Sequence, residues 1–313
     1  MRRLSYAFMI ACLLQSLPPV VSATEKMNGF NLENALVPVG RIQNGGVARD
    51  GIPALYAPKF VDASSANFLS DKDRVLGVHR NGEARAYPLK IMNYHEIVND
   101  DFNGAEVLVS FCPLCGSGIA FAVDVEHGGF GVSGLLYNSD VLMYDRKTES
   151  LWSQILGQAI SGPARGESLE AIPISNTNWE TWRRRYPDTK VLSPETGYVR
   201  NYDRDPYADY RRSNKLWFPV AARNRRFTPK SMVIGIGLDG LFKAYPLDEL
   251  PDAKMSIEDS FAGRRLTVEY DKGSASADVF DASGKEWPSV TLFWFAWVAF
   301  HPDTEVYVSP DVK

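Results

Sequence analysis

Residues 75–89 read Val75-Leu76-Gly77-Val78-His79-Arg80-Asn81-Gly82-Glu83-Ala84-Arg85-Ala86-Tyr87-Pro88-Leu89. Two apolar runs flank Asn81-Gly82, the residue pair that best tolerates the positive φ angles of a two-residue hairpin. The same pattern returns downstream: Val75-Leu76-Gly77-Val78 as Val233-Ile234-Gly235-Ile236, and Ala86-Tyr87-Pro88-Leu89 as Ala244-Tyr245-Pro246-Leu247. The two matches share an offset of 158 residues, and Gly82 falls on Gly240. Segment 97–104 resembles 257–263, with Phe102 on Phe261. Further on, Trp179-x-x-Trp182 with Pro187-Asp188-Thr189 recurs as Trp294-x-x-Trp297 with Pro302-Asp303-Thr304, now at an offset of 115. Four landmarks in one order predict an internal repeat.

The predicted fold is mainly β with a few short helices (α+β), built as two unequal copies of one β-rich unit. The first copy spans residues 24–200, a polar and arginine-rich stretch at 201–230 links the copies, and a shortened second copy covers 231–313. Hairpin patterns at 107–111 with 119–123, and at 266–270 with 275–280, supply further strands. Each unit should close with a short helix. In the first, Thr177 and Glu180 form a capping box and Pro187 ends the turn. The recurrence of Trp179/Trp182 as Trp294/Trp297 at helical spacing marks them as core residues.

The chain begins with Arg2 and Arg3, then an apolar run to Val21 and the small residues Ser22-Ala23. This is the pattern of a secretory signal cleaved after Ala23, which implies a periplasmic or secreted protein. Lipidation at Cys12 is the competing reading, disfavoured because the apolar run continues past that cysteine. Pro18 and Pro19 interrupt the run, and no other segment is long and apolar enough to span a bilayer. Cleavage removes two of the 34 basic residues, leaving 32 against 38 acidic ones and a net charge of −6. That balance excludes the basic face of a nucleic-acid binder.

After cleavage the only cysteines are Cys112 and Cys115, in Phe111-Cys112-Pro113-Leu114-Cys115-Gly116. A disulfide-stapled scaffold is thereby excluded. In the repeat, this motif takes the place of the hairpin turn at Lys272-Gly273, so the cysteines are expected at a turn between strands. Gly116 and Gly118 disfavour a helix starting there, and with it a thioredoxin-like site. A Cys-Pro-x-Cys-Gly turn resembles the metal knuckles of rubredoxins and zinc ribbons. His95, shortly before the cysteine strand, is the candidate third ligand. Thiolates with an imidazole suit copper or zinc. Two alternatives stay open: a redox-active dithiol serving an envelope redox partner, and a static Cys112–Cys115 disulfide in a non-enzymatic binding or scaffold protein.

Asp50-Gly51-Ile52-Pro53, Tyr94-His95-Glu96-Ile97-Val98-Asn99-Asp100, the cysteine motif, Gly131-Val132-Ser133-Gly134-Leu135-Leu136-Tyr137-Asn138-Ser139-Asp140 and Leu151-Trp152-Ser153-Gln154 together resemble domain-of-unknown-function family 3179 of bacteria and archaea. The resemblance covers roughly residues 45–308. It implies no activity, but it makes His95, Cys112, Cys115, Asn138, Asp140 and Asp145 motif positions. Asp140 and Asp145 flank a predicted strand at 141–144, where turn formation is the simplest role for an aspartate.

Overall fold

The computed structural model describes residues 25–250 and 255–309. The expected signal sequence and Cys12 lie outside the described residues. The chain is mainly β with a few short helices, but it is not two unequal copies. Five sheets of four or five strands stand as blades of a propeller-like ring. No helix among the described residues is long and apolar enough to cross a membrane.

Blade I is built on the hairpin Arg74–Arg80/Glu83–Pro88, with Asn81 and Gly82 at φ +51° and +76° in its turn. Its remaining strands are Ser175–Asn178, Lys190–Leu192 and Phe60–Asp62. Blade II runs Ile97–Asp101, Glu106–Cys112, Ser117–Ala122 and Glu170–Ile172, with Leu55–Tyr56 on its edge. Blade III comprises Phe130–Tyr137, Asp140–Asp145, Leu151–Ser153 and Gln158–Ser161, edged by Ile42–Asn44. Blade IV holds Met232–Leu238, Leu241–Pro246, Val290–Phe293 and Glu305–Val306. Blade V holds Met255–Phe261, Arg264–Asp271, Ser276–Asp281 and Glu286–Trp287.

The repeated landmarks mark a likeness between blades. Blades I and IV share the order of four strands, each with one parallel pair, Val191 beside Ala86 and Val306 beside Ala244, and blade I adds Phe60–Asp62 beyond it. Helices α1 (Leu89–His95), α2 (Trp179–Arg185), α3 (Ala208–Arg212) and α4 (Trp294–Phe300) are all short. In α2 the cap is Asn178, whose side chain accepts from Thr181 N at 2.8 Å, while the expected cap Thr177 lies in the preceding strand. Trp179 and Trp182 are buried, as are Trp294 and Trp297. The Pro-Asp-Thr landmark has a physical reason: Thr189 accepts the indole N–H of Trp182 at 2.9 Å, and Thr304 accepts that of Trp297 at 2.8 Å.

Another shared device joins neighbouring blades. The Tyr87 hydroxyl donates to Asp100 beside Arg85, and the Tyr245 hydroxyl donates to Asp259 at 2.8 Å beside Lys243. The two-copy reading fails for two reasons. Among the described residues blade III has no counterpart downstream, and blades I, II and III all take an edge strand from one N-terminal segment, residues 42–62.

The 201–230 stretch does more than connect. Phe218 and Leu216 pack against the core beside the cysteine turn, and Tyr210 is fully buried there. Polar composition concealed this, because the apolar anchors are interspersed with exposed arginines.

Candidate functional site

Strand Glu106–Cys112 ends at Cys112, and the chain turns through Pro113-Leu114-Cys115-Gly116 before returning as Ser117–Ala122. Ser117 pairs with Cys112 across the hairpin. Cys112 O accepts from Cys115 N at 3.2 Å and from Gly116 N at 2.8 Å. Gly116 sits at φ +66°, the left-handed region that glycine enters without penalty. The cysteines thus occupy a tight turn between strands, as the sequence indicates. Both thiols are buried and unbridged.

A second turn faces them. Asn138 and Ser139, at φ +53° and +65°, connect two blade III strands in the geometry of a primed hairpin turn, with Tyr137 paired to Asp140. Two left-handed residues in succession are costly unless held. Here Asn138 Oδ1 accepts from Ala221 N at 2.8 Å, and Nδ2 donates to Ala299 O at 3.0 Å. The turn aims Ser139 O at the sulfurs, 3.8 Å from Cys112 Sγ and 3.4 Å from Cys115 Sγ. It also delivers Asp140. One oxygen of its carboxylate and the two sulfurs lie within 4.8 Å of one another, and all three residues are buried.

Asp140 is only half satisfied. Oδ2 accepts from Ile155 N at 3.1 Å and lies 3.5 Å from Ser153 Oγ, whereas Oδ1 is buried with no hydrogen-bond partner. Burial pushes its pKa up to about 7, opposed by the N–H groups of Ile155 and Val141. Burial also raises the Cys115 thiol well above its ordinary value, and the adjacent Cys112, Asp140 and Glu96 add to this. Glu96 is a further buried acid, pushed up to about 8 by burial despite a Tyr207 hydroxyl 3.5 Å away. Its backbone, at φ +57°, is tied to the cysteine strand through Phe111 N, 2.7 Å from Glu96 O. Tyr207 and Tyr210 line the same region, and Tyr210 donates to Leu114 O at 3.0 Å.

His95 is placed outside this group. It ends α1, with Nδ1 2.8 Å from Pro53 O and Nε2 2.7 Å from the Tyr202 hydroxyl, so both ring nitrogens are engaged. The positive φ of Glu96 lets adjacent side chains take different partners: Glu96 meets Tyr207, and His95 meets Tyr202. Asp145 serves a turn, accepting from Thr148 N at 2.6 Å, from Thr148 Oγ1 at 2.7 Å and from Trp152 Nε1 at 2.9 Å. Sequence reasoning missed Glu96, Tyr207 and Tyr210. Only for Glu96 was there a signal, its place next to His95 in a quoted motif.

The family model for a protein of unknown function (DUF3179) matches residues 49–304. The chain belongs to that family, which is defined without an activity. No curated protein and no solved structure matches it.

Proposed function

We propose that this is an exported metal-binding protein that holds a borderline divalent ion, zinc foremost, through Cys112, Cys115 and Asp140. The observation that carries the reading is the approach of a carboxylate oxygen of Asp140 and two buried sulfurs to within 4.8 Å of one another, with Asp140 Oδ1 left without a hydrogen-bond partner. Leaving a buried carboxylate oxygen unpaired costs on the order of 1–3 kcal/mol, and an ion offsets that cost. Two thiolates with one carboxylate suit Zn²⁺, whereas a soft Cu(I) centre prefers sulfur or imidazole to a carboxylate. The donors come from two blades, so a bound ion would cross-link the ring and stabilise it by its binding free energy. The dithiol reading is less well supported. A partner thiol must reach a sulfur in line, and both cysteines are almost fully enclosed.

Element analysis of protein purified from its native compartment tests the reading. Near-stoichiometric zinc is expected, together with loss of metal and a lower melting temperature in Cys112→Ser. Metal-free wild-type protein whose melting is unmoved by Zn²⁺ under reducing conditions would overturn it. Export rests on the N-terminal pattern, and the intact mass of the native protein is expected to begin at Thr24; a lipid-modified Cys12 would refute cleavage after Ala23.

A further inference from the structure

A cavity of about 500 Å³ opens where blades I, II, IV and V meet, within the size range of small-molecule sites. Its apolar walls include Phe111 and Phe293, and Gly116 of the cysteine turn lies in its lining. The polar groups are of two kinds. Most are already neutralised: Lys90 pairs with Asp73 and Asp203, and Arg211 pairs with Asp205.

Lys72 in the lining is exposed to solvent, and two further groups are not matched in this way. Arg74 donates to Ser274 O, to Asn176 O at 2.7 Å, to Asn176 Oδ1 at 2.5 Å and to Ala275 O at 3.2 Å, all neutral oxygens. Among the described residues no carboxylate lies within ion-pair distance of it. With no anion to hold its charge, burial pulls its pKa down to about 10. Asn93, only 5 % exposed, also lines the cavity. Its Nδ2 points to Asp205 Oδ1 at 3.4 Å, an acceptor that fixes the orientation of the amide and leaves Oδ1 as the free end. That oxygen is buried with no partner.

A cation without an anion, an acceptor without a donor and two aromatic walls together describe a ligand. We infer that this cavity binds a small organic carboxylate with an apolar body and an adjacent hydrogen-bond donor, the carboxylate meeting Arg74 and the donor meeting Asn93 Oδ1. This site is distinct from the metal site and does not depend on it. Its chemistry follows from complementarity, since buried polar groups find partners and an unmatched buried charge is costly.

The test is calorimetric titration of the full mature protein in EDTA, so that the result is independent of metal. The probe is 3-phenyllactate, which has a carboxylate, an adjacent hydroxyl and a ring. The expected result is saturable binding, with 3-phenylpropane-1,2-diol, its uncharged counterpart, at least about tenfold weaker. Asn93→Asp places a negative charge at the free acceptor and is expected to weaken phenyllactate about tenfold or more. Arg74→Lys, which keeps the charge, is expected to retain more binding than Arg74→Gln. Arg74 also joins strands, so the comparison of acid and diol on wild-type protein decides the matter even if its variants fail to fold. Equal binding of acid and diol, equal binding of inorganic phosphate, an unaffected Asn93→Asp protein, or no saturable binding of phenyllactate below about 1 mM would each overturn the proposal.

Discussion

The six-membered ring of Trp182 lies so close to Gly77 that a Cβ on the glycine would sit 2.3 Å from it. Trp297 stands in the same relation to Gly235, also at 2.3 Å. In both places a helix lays an indole flat on a strand, and a threonine fixes the indole by its N–H. A glycine in mid-strand is otherwise a weak choice, so the close approach explains both residues.

Gly77→Ala and Gly235→Ala are therefore expected to destabilise the protein by about 2 kcal/mol or more each, since neither ring can move without losing its threonine. Gly40→Ala, where an added Cβ meets nothing within 4 Å, should stay within about 0.5 kcal/mol of wild type. Urea denaturation of the three variants measures this. A Gly77→Ala protein as stable as the Gly40→Ala control would contradict the packing argument.

The acids around the cysteines set a pH dependence. Asp140 and Glu96 titrate in the fold near 7 and near 8, above their ordinary values of 3.8 and 4.5. Between the unfolded and folded values the native state binds the extra protons, so raising the pH removes stability. Metal-free protein is expected to melt at a lower temperature at pH 8 than at pH 5, and Asp140→Asn should flatten part of that slope. Added Zn²⁺ should act the other way, because its ligands must be deprotonated. Melting curves with EDTA and with Zn²⁺ at both pH values check both signs; metal-free stability that climbs from pH 5 to pH 8 would refute the argument.

His95 provides a third test. Its two hydrogen bonds join α1 to Pro53 and Tyr202, so His95→Phe should cost about 1–3 kcal/mol by leaving buried partners unpaired. Zinc stoichiometry should be unchanged in the same variant. Loss of metal together with an intact fold would instead make the imidazole a ligand.

How much of this was legible in the sequence differs from residue to residue. Residues with recurring roles were visible as landmarks, Gly77, the Asn81-Gly82 turn, Trp182 and Thr189, but the contacts of Gly77 and Thr189 with the indole were not. The turn position of Cys112 and Cys115 followed from the hairpin at 272–275, where Ala275 N returns to Lys272 O much as Cys115 N returns to Cys112 O. The five-blade ring was not visible. Several of its edge strands are only two or three residues long, such as Leu55–Tyr56, too short to show an alternating pattern. Nor does any spacing in the sequence say that the Asn138-Ser139 turn of blade III faces the cysteines of blade II. That proximity depends on how the blades sit together. Asp140 was therefore a motif position with a plausible turn role until the fold placed it against sulfur.

Residues 42–62 give one edge strand to each of three blades, and their partners lie at 135–137, 98–99 and 190–192. An early strand, Phe60–Asp62, is thus the last of the three to find its partner. Lys190 meets Asp62 across 128 positions of chain. Such long loops must close before their contacts repay the lost entropy, which favours slow folding and all-or-none assembly over blade-by-blade growth. Blades I to III behave as three pages held by one thread. A fragment ending short of residue 190 leaves that thread untied at blade I, so the opening segment acts as a check on completion, pairing in full only once the chain beyond blade III has arrived.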